Sequence, residues 1–406
     1  MSASHVVSNI LPVLGITITL IGLNLAVSFL TAWHIQRYYR KNQATDLAVY
    51  RLNIIKRYIG FPVLIISILY GTQFIVPYAD KLDIAGKILV VVFPLALLWA
   101  VTIGKLFILH HTQQKIHPSD VPFKKQILAQ TRGLVLISIP ALIFAVFLIF
   151  PPQRMNGQLE FGHFTIPVIY TILLLIYIFI LPQFRIKLLK VASMGTSVMY
   201  TRLQIFLQKQ GIDNAQIFVW QTGKNPIANA MVIGYSRVLV FLTDHLLDNL
   251  SMEEIESILA HESGHIKNHD LWIRTGLALA SSPIVFIAGL LLHKYAAGRS
   301  MYFDFFVIII LVVLYFNILF RYFTRLHETH ADEYVLELGI DPKIYIAALY
   351  KLAKLNQAVM RFNKIDEKFQ THPSVAKRIQ WVMEKANISD IEFTEIRIMA
   401  DILMRS

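Results

Sequence analysis

The chain has 406 residues, of which 55% are hydrophobic and only 16% charged, and it contains no cysteine. That balance excludes an ordinary soluble globular protein; the missing thiols exclude disulfides, thiol catalysis, cysteine zinc ligands and a prenylation box on the chain itself. The net charge of +12 is spread over segments flanking apolar runs, which suits anionic headgroups, and no nucleic-acid-binding motif accompanies it.

Seven stretches approach the roughly 20 apolar residues that a membrane helix needs. They run over 8–32, 59–79, 84–109, 134–151, 164–184, 272–293 and 303–323. The fourth is the shortest and carries Pro140. The first is too long for a signal peptide, and no Lys or Arg precedes it, so it reads as a retained helix. Basic residues crowd the odd connections: Arg37, Arg40, Lys41, Arg51, Lys56 and Arg57 after the first span, and Lys105, Lys115, Lys124, Lys125 and Arg132 around the end of the third. The even connections hold few. The positive-inside rule then places the N-terminus outside and both polar segments, 185–270 and 324–406, in the cytoplasm with the C-terminus. A bacterial inner membrane is the expected setting, in preference to the endoplasmic reticulum.

The expected fold is mostly α: a polytopic membrane protein of about seven transmembrane helices with a cytoplasmic α+β domain. The expected divisions are a five-helix membrane region over 1–184, a cytoplasmic segment over 185–271, a membrane hairpin over 272–323 and a second cytoplasmic segment over 324–406. No internal repeat, low-complexity tract or Gly/Ser linker interrupts this plan.

Ser251-Met252-Glu253-Glu254 reads as a capped helix start, and Ile255, Ile258 and Leu259 follow at helical spacing. That helix carries His261-Glu262-Ser263-Gly264-His265, an H-E-x-x-H signature. Its histidines share one helix face and can reach one metal ion, while Glu262 can take a proton from water held there. Zinc, one ion per chain, needs a third protein ligand. Glu328 is the best candidate, returned to the same membrane face by the last two spans, and His327 and His330 compete for the place. Asp332, one turn beyond Glu328, can accept a hydrogen bond from a ligand imidazole. His269 could extend the stripe begun by His261 and His265. Residues 227–242 alternate around Gly234-Tyr235-Ser236 like a hairpin with an exposed edge, which could pair with an extended peptide.

These residues resemble the integral-membrane zinc peptidases that include the CAAX prenyl proteases and the HtpX proteases. Asn229-Ala230-Met231-Val232-Ile233-Gly234 is similar to that family's N-A-x-x-x-G segment, and Thr324-Arg325-Leu326-His327-Glu328-Thr329-His330-Ala331-Asp332 to its S-R-x-x-E-x-x-A-D motif, with Thr for Ser. Thr371-His372-Pro373 and Arg378 resemble the C-terminal T-H-P and Arg. The resemblance implies that the two cytoplasmic segments form a zincin-type (gluzincin) α+β catalytic domain, with zinc on His261, His265 and Glu328 and with Glu262 activating water. It also implies that Asn229 and Ala230 hold the substrate backbone and that His372 and Arg378 support substrate or a developing oxyanion. Five spans ahead of the motif are like the CAAX proteases; the wording His265-Ile266-Lys267-Asn268-His269-Asp270 is closer to HtpX.

The expected activity is therefore a membrane-embedded zinc metalloendopeptidase acting at the cytoplasmic face on membrane-associated or misfolded proteins, with protein or peptide substrates, the lipid bilayer as partner and no nucleic acid. One alternative is CAAX-type processing of lipidated proteins. A second, of another class, is a catalytically silent scaffold whose zinc is closed by a fourth ligand, His327 or His330. A transporter would place ionisable residues or broken helices at mid-membrane, and the apolar runs hold few.

Overall fold

The computed structural model describes residues 3–42, 84–116, 191–195, 197–223, 227–233, 237–295, 314–362 and 370–404, with isolated residues at 47–48, 50–52, 123–124, 127–128, 171–172, 175, 311 and 367. Two compact units divide the chain: one takes Met1–Leu174 and Ser282–Leu311, the other Leu175–Ser281 and Val312–Ser406.

In the first unit, helices α1 (Ala3–Asn42) and α2 (Ile84–Ile116) pack together. Ala32 and Ile35 of α1 meet Leu109 and Ile116 of α2 in a small core, and Gln36 donates to Thr112 beside it. The expected spans 8–32 and 84–109 fall inside these helices, and 272–293 falls inside a helix shared between the units. Spans 59–79 and 134–151, most of 164–184 and the first part of 303–323 lie outside the described residues. Among the described residues, no helix is long and apolar enough to cross a membrane. The seven spans remain an expectation carried by the hydropathy of the sequence.

The second unit is α+β. Strands β1 (Val191–Ser193), β2 (Gln216–Trp220), β3 (Ala230–Ile233) and β4 (Leu239–Thr243) form a sheet of order β1-β2-β4-β3. β4 lies inside it, parallel to β2 and antiparallel to β3, and its Val240-Phe241-Leu242 run is fully buried. Helix α3 (Val198–Lys209) precedes β2, and Leu203 and Leu207 carry it onto the core. A short helix α4 (Asp244–Asn249) follows β4, capped by Thr243. Then come α5 (Met252–Lys267) and α6 (Asp270–Tyr295), and later in the chain a π-helical turn (Tyr315–Phe320) running into α7 (Arg321–Glu337). Helices α8 (Pro342–Leu355), α9 (Val375–Ala386) and α10 (Asp390–Leu403) complete the unit. One hydrophobic core joins Leu242 and Val240 of the sheet to Ile255 and Leu259 of α5, Val335 of α7 and Ile346 of α8.

Two features of this arrangement position the site. β3 ends the sheet, with β4 as its partner on one side. The expected hairpin is present as β3 and β4, while Gly234, Tyr235 and Ser236 at its turn lie outside the described residues. Asn229 accepts from the backbone N–H of Thr243, so antiparallel alternation turns the backbone groups of Ala230 and Val232 away from β4, toward the open edge. Helix α5 packs on β3 from one side and on α7 and α8 from others.

Candidate active site

Helix α5 begins with the expected reciprocal cap: Ser251 Oγ accepts from Glu254 N–H, and the Glu254 carboxylate accepts from Ser251 N–H. The same carboxylate meets Lys351 Nζ at 2.8 Å in a buried ion pair that ties α5 to α8. Further along, Gly264 faces α7. A Cβ there would stand 2.9 Å from Ala331 Cα and 3.2 Å from Tyr334 Cβ, so only a residue without a side chain permits this approach of the two helices.

That approach brings Glu328 to the histidine pair. His261 Nε2 lies 3.5 Å from Glu328 Oε2, and His265 Nε2 lies 3.5 Å from Oε1. One donor atom from each of the three residues lies within 4.8 Å of the others. Donors about 2.1 Å from a tetrahedral ion stand roughly 3.4 Å apart, so two imidazoles and a buried carboxylate at this spacing fit one zinc-sized ion. Among the described residues this group contains three donors; neither His327 nor His330 joins it.

Each histidine is held through its other nitrogen. His265 Nδ1 lies 2.6 Å from Asp270 Oδ2, and His261 Nδ1 lies 3.0 Å from Asp332 Oδ1. Tyr345 Oη donates to Asp332 at 2.6 Å and accepts from Arg378 Nη2 at 2.7 Å, while Arg378 donates to both Asp332 oxygens. Asp332 is the carboxylate facing His261 Nδ1, so in the neutral ring the proton sits on Nδ1 and the Nε2 lone pair turns toward the side of Glu328. Asp332 thus lies against His261, the first histidine of the motif.

The electrostatics follow from this packing. Burial and the Arg378 charge push the His261 imidazole down, but its bonds to Asp332 and Glu328 prevail and raise its pKa to about 9 without an ion. Burial alone would raise the Glu328 carboxyl; His261 and His372 hold it far below its usual range. Asp332 is likewise held low, against its burial, by Arg378 and His261. A proton on His261 and an ion at Nε2 are thus competitors for the same charge-rich pocket.

The remaining sequence candidates separate. A cavity of about 600 Å³ is lined by Asn229, Ala230, Glu262, His372 and Arg378 as well as the three donors. His372 is largely exposed and reaches Glu328 Oε1 at 2.9 Å through Nδ1. Arg378 reaches the cavity too, but its Nε and Nη2 are engaged by Asp332 and Tyr345, which makes it a brace for the His261 side as placed. His330 is exposed and His327 buried, with Nδ1 3.5 Å from Asp270 Oδ1. The stripe through His269 does not exist: that residue has φ +55°, outside the helix, in the break between α5 and α6.

Sequence reasoning missed Asp270, Tyr345 and Arg274. Asp270 is five residues beyond His265, not the four that a continuous helix would favour; the left-handed turn at His269 brings it back. Tyr345 has no local signature in the middle of an amphipathic helix. Arg274 stands near the start of the apolar stretch 272–293 and has no motif of its own.

Two imidazoles one turn apart on one helix converge with a carboxylate from a second helix beside an open sheet edge, a group that could hold a metal ion. Residues 195–386 match the model of Peptidase family M48. Among curated proteins, the chain is 27% identical over 183 residues to the Protease HtpX homolog of Helicobacter acinonychis, covering 40% of this chain and 59% of that protein. Against Protease HtpX of Erwinia tasmaniensis it is 29% identical over 204 residues, covering 43% and 68%. The chain thus spans less than two thirds of the length of the Helicobacter relatives, at 59% and 57%. The crystal structure of Ste24p from S. mikatae shares the fold, with a TM-score of 0.59 at 15% identity over 92% of this chain and 98% of that one. The match to peptidase family M48 covers residues 195–386, the stretch that holds the motifs whose resemblance the sequence carries.

Proposed function

We propose that the protein is a membrane-embedded zinc metalloendopeptidase that hydrolyses peptide bonds of membrane-associated or misfolded proteins at the cytoplasmic face. The observation that carries this reading is the convergence of His261 Nε2, His265 Nε2 and the Glu328 carboxylate in a cavity that Glu262 also lines. A zinc ion on those three residues supplies the Lewis acidity that lowers the pKa of water and polarises the scissile carbonyl.

The chain's own residues carry the rest. An extended substrate pairs with the open edge of β3, through the outward backbone groups of Ala230 and Val232, with Asn229 at the strand's start. Glu262 takes a proton from the attacking water as the C–O bond forms, and returns it to the leaving amine as the C–N bond breaks. His372, cationic or donating, stabilises charge developing on the carbonyl oxygen. Asp332 and Asp270 fix the two imidazoles, and Tyr345 with Arg378 fixes Asp332.

The membrane setting rests on the seven apolar stretches and on the basic residues of the odd connections. Exposed Leu23, Phe29, Leu30 and Trp33 on α1 support it, since a surface of that kind suits lipid better than water. The absence of a fourth donor from the described cluster favours a position left open for solvent, and so an enzyme over a silent scaffold.

The test is Glu262→Gln in full-length protein. It should retain zinc by elemental analysis and lose hydrolysis of casein and of membrane proteins by at least about a hundredfold, the range of a general base. Cleavage at the wild-type rate by zinc-loaded Glu262→Gln would refute the mechanism.

A further inference from the structure

Arg274 lies one turn into α6 and lines the same cavity as Glu262 and His372. Its Nε and Nη2 are buried and have no hydrogen-bond partner. The nearest carboxylate oxygen paired with it, Glu328 Oε1, stands 3.6 Å from Nη2, beyond hydrogen-bond reach, and that oxygen already faces His265 and His372. Asp270, four residues earlier on the same helix, turns its Oδ2 to His265. Asp270 Oδ1 is itself buried without a hydrogen-bond partner, 3.5 Å from His327 Nδ1, and does not bond the Arg274 guanidinium.

A buried donor left without an acceptor is costly, more so on a charged group, and a guanidinium is a planar fork built for a bidentate anion. The bland alternative is an arginine at the end of an apolar run that reaches for lipid headgroups. That predicts nitrogens turned outward. Here the side chain is 29% exposed overall, but Nε and Nη2 are the buried atoms and the cavity is the space beside them. The other guanidinium of the wall, Arg378, is committed to Asp332 and Tyr345, which leaves Arg274 as the cation with unsatisfied donors. Leu271 and Trp272 line the same cavity, and apolar surface of that kind strengthens an ion pair made beside it.

We infer that Arg274 is a specificity-determining residue that receives a carboxylate of the substrate, so that the enzyme prefers peptides with Asp or Glu next to the scissile bond. This rests on the peptidase reading of the site. Two arms keep its failure separate from the failure of that reading.

In the first arm, zinc-loaded full-length protein digests a peptide library, and cleavage sites are read by mass spectrometry. Wild type should enrich Asp and Glu within two residues of the cut. Arg274→Gln should lower the acidic-over-neutral ratio of kcat/KM by about tenfold or more, the worth of a charge-assisted hydrogen bond. Arg274→Lys should fall between, and Arg274→Glu should turn the preference toward Lys and Arg. In the second arm, fluorescent peptides differing only by Glu or Gln bind Glu262→Gln and Glu262→Gln/Arg274→Gln protein, with no cleavage needed. The Glu peptide should bind about tenfold tighter in the first protein and no tighter in the second. An unchanged cleavage profile in Arg274→Gln overturns the inference, and so does an equal loss on all peptides, which marks a group acting on the reacting carbonyl. If wild type cleaves nothing, the hydrolase reading fails, and the binding arm still decides for or against Arg274.

Discussion

Replacing Gly264 by alanine tests the packing that builds the site. The added Cβ meets Ala331 Cα at 2.9 Å and Ala331 Cβ at 3.3 Å, whereas ordinary contact begins at 3.4 Å. The obstruction is backbone, so α5 and α7 must separate by about half an ångström. Overpacking of this kind costs about 1–3 kcal/mol, and the better helix propensity of alanine returns roughly 1 kcal/mol, so net destabilisation is at most about 2 kcal/mol. The site has no such compensation. His261 and His265 ride on α5 and Glu328 on α7, so every ångström of separation falls on the donor spacing. Zinc affinity should drop at least about tenfold, and hydrolysis by up to about a hundredfold, the cost of small misplacement. Competition with a chromophoric chelator gives the affinity, and thermal unfolding in detergent gives the stability. Wild-type zinc affinity in Gly264→Ala would refute the idea that this contact sets the donor geometry.

Further outcomes follow from the same contacts. Asp270→Ala should weaken zinc binding by about 10–100-fold while keeping the fold, because His265 loses the acceptor that orients it; equal affinity in a chelator titration would count against this. Lys351→Met leaves Glu254 buried and unpaired and should cost about 3–5 kcal/mol in denaturant unfolding, with an unchanged midpoint as the contrary result. For pH, the folded His261 pKa of about 9 exceeds its unfolded value near 6.5. Its contribution to the zinc-free protein is complete below about pH 6.5 and fades as pH rises through about 9. Asp332, held low, contributes above its unfolded pKa of about 3.9 and fades as pH falls. Melting of chelated protein should therefore decline from pH 6.5 to 9, and zinc affinity should rise across that window as the proton leaves; a flat affinity profile would contradict the assignment.

Much of the site was legible because its signals are local. Ser251 and Glu254 announce a helix start, and H-E-x-x-H two turns later needs only helical spacing to put both imidazoles on one face. The choice of Glu328 followed from the ligand count zinc demands, although 62 residues of chain, including two apolar stretches, separate it from His265. The edge strand could be read from alternation over 227–242. What escaped depends on tertiary approach or on a broken period. Gly264 fills a variable position of the motif, and only the neighbouring α7 shows why it has no side chain. Asp270 reaches His265 through a left-handed residue that helical counting does not foresee. Tyr345 and Lys351 look like ordinary members of α8 until Asp332 and Glu254 are brought to them from other helices.

The central claim is a single zinc ion shared by α5 and α7 with one coordination position left for solvent. Zinc-edge X-ray absorption on full-length protein loaded with one equivalent tests it directly. The account predicts two imidazole nitrogens at about 2.0–2.1 Å and oxygens from one carboxylate and a water at about 2.0–2.2 Å. One imidazole should disappear in His261→Ala and the carboxylate in Glu328→Gln. A spectrum with three or more imidazoles, or one that neither substitution alters, would contradict it.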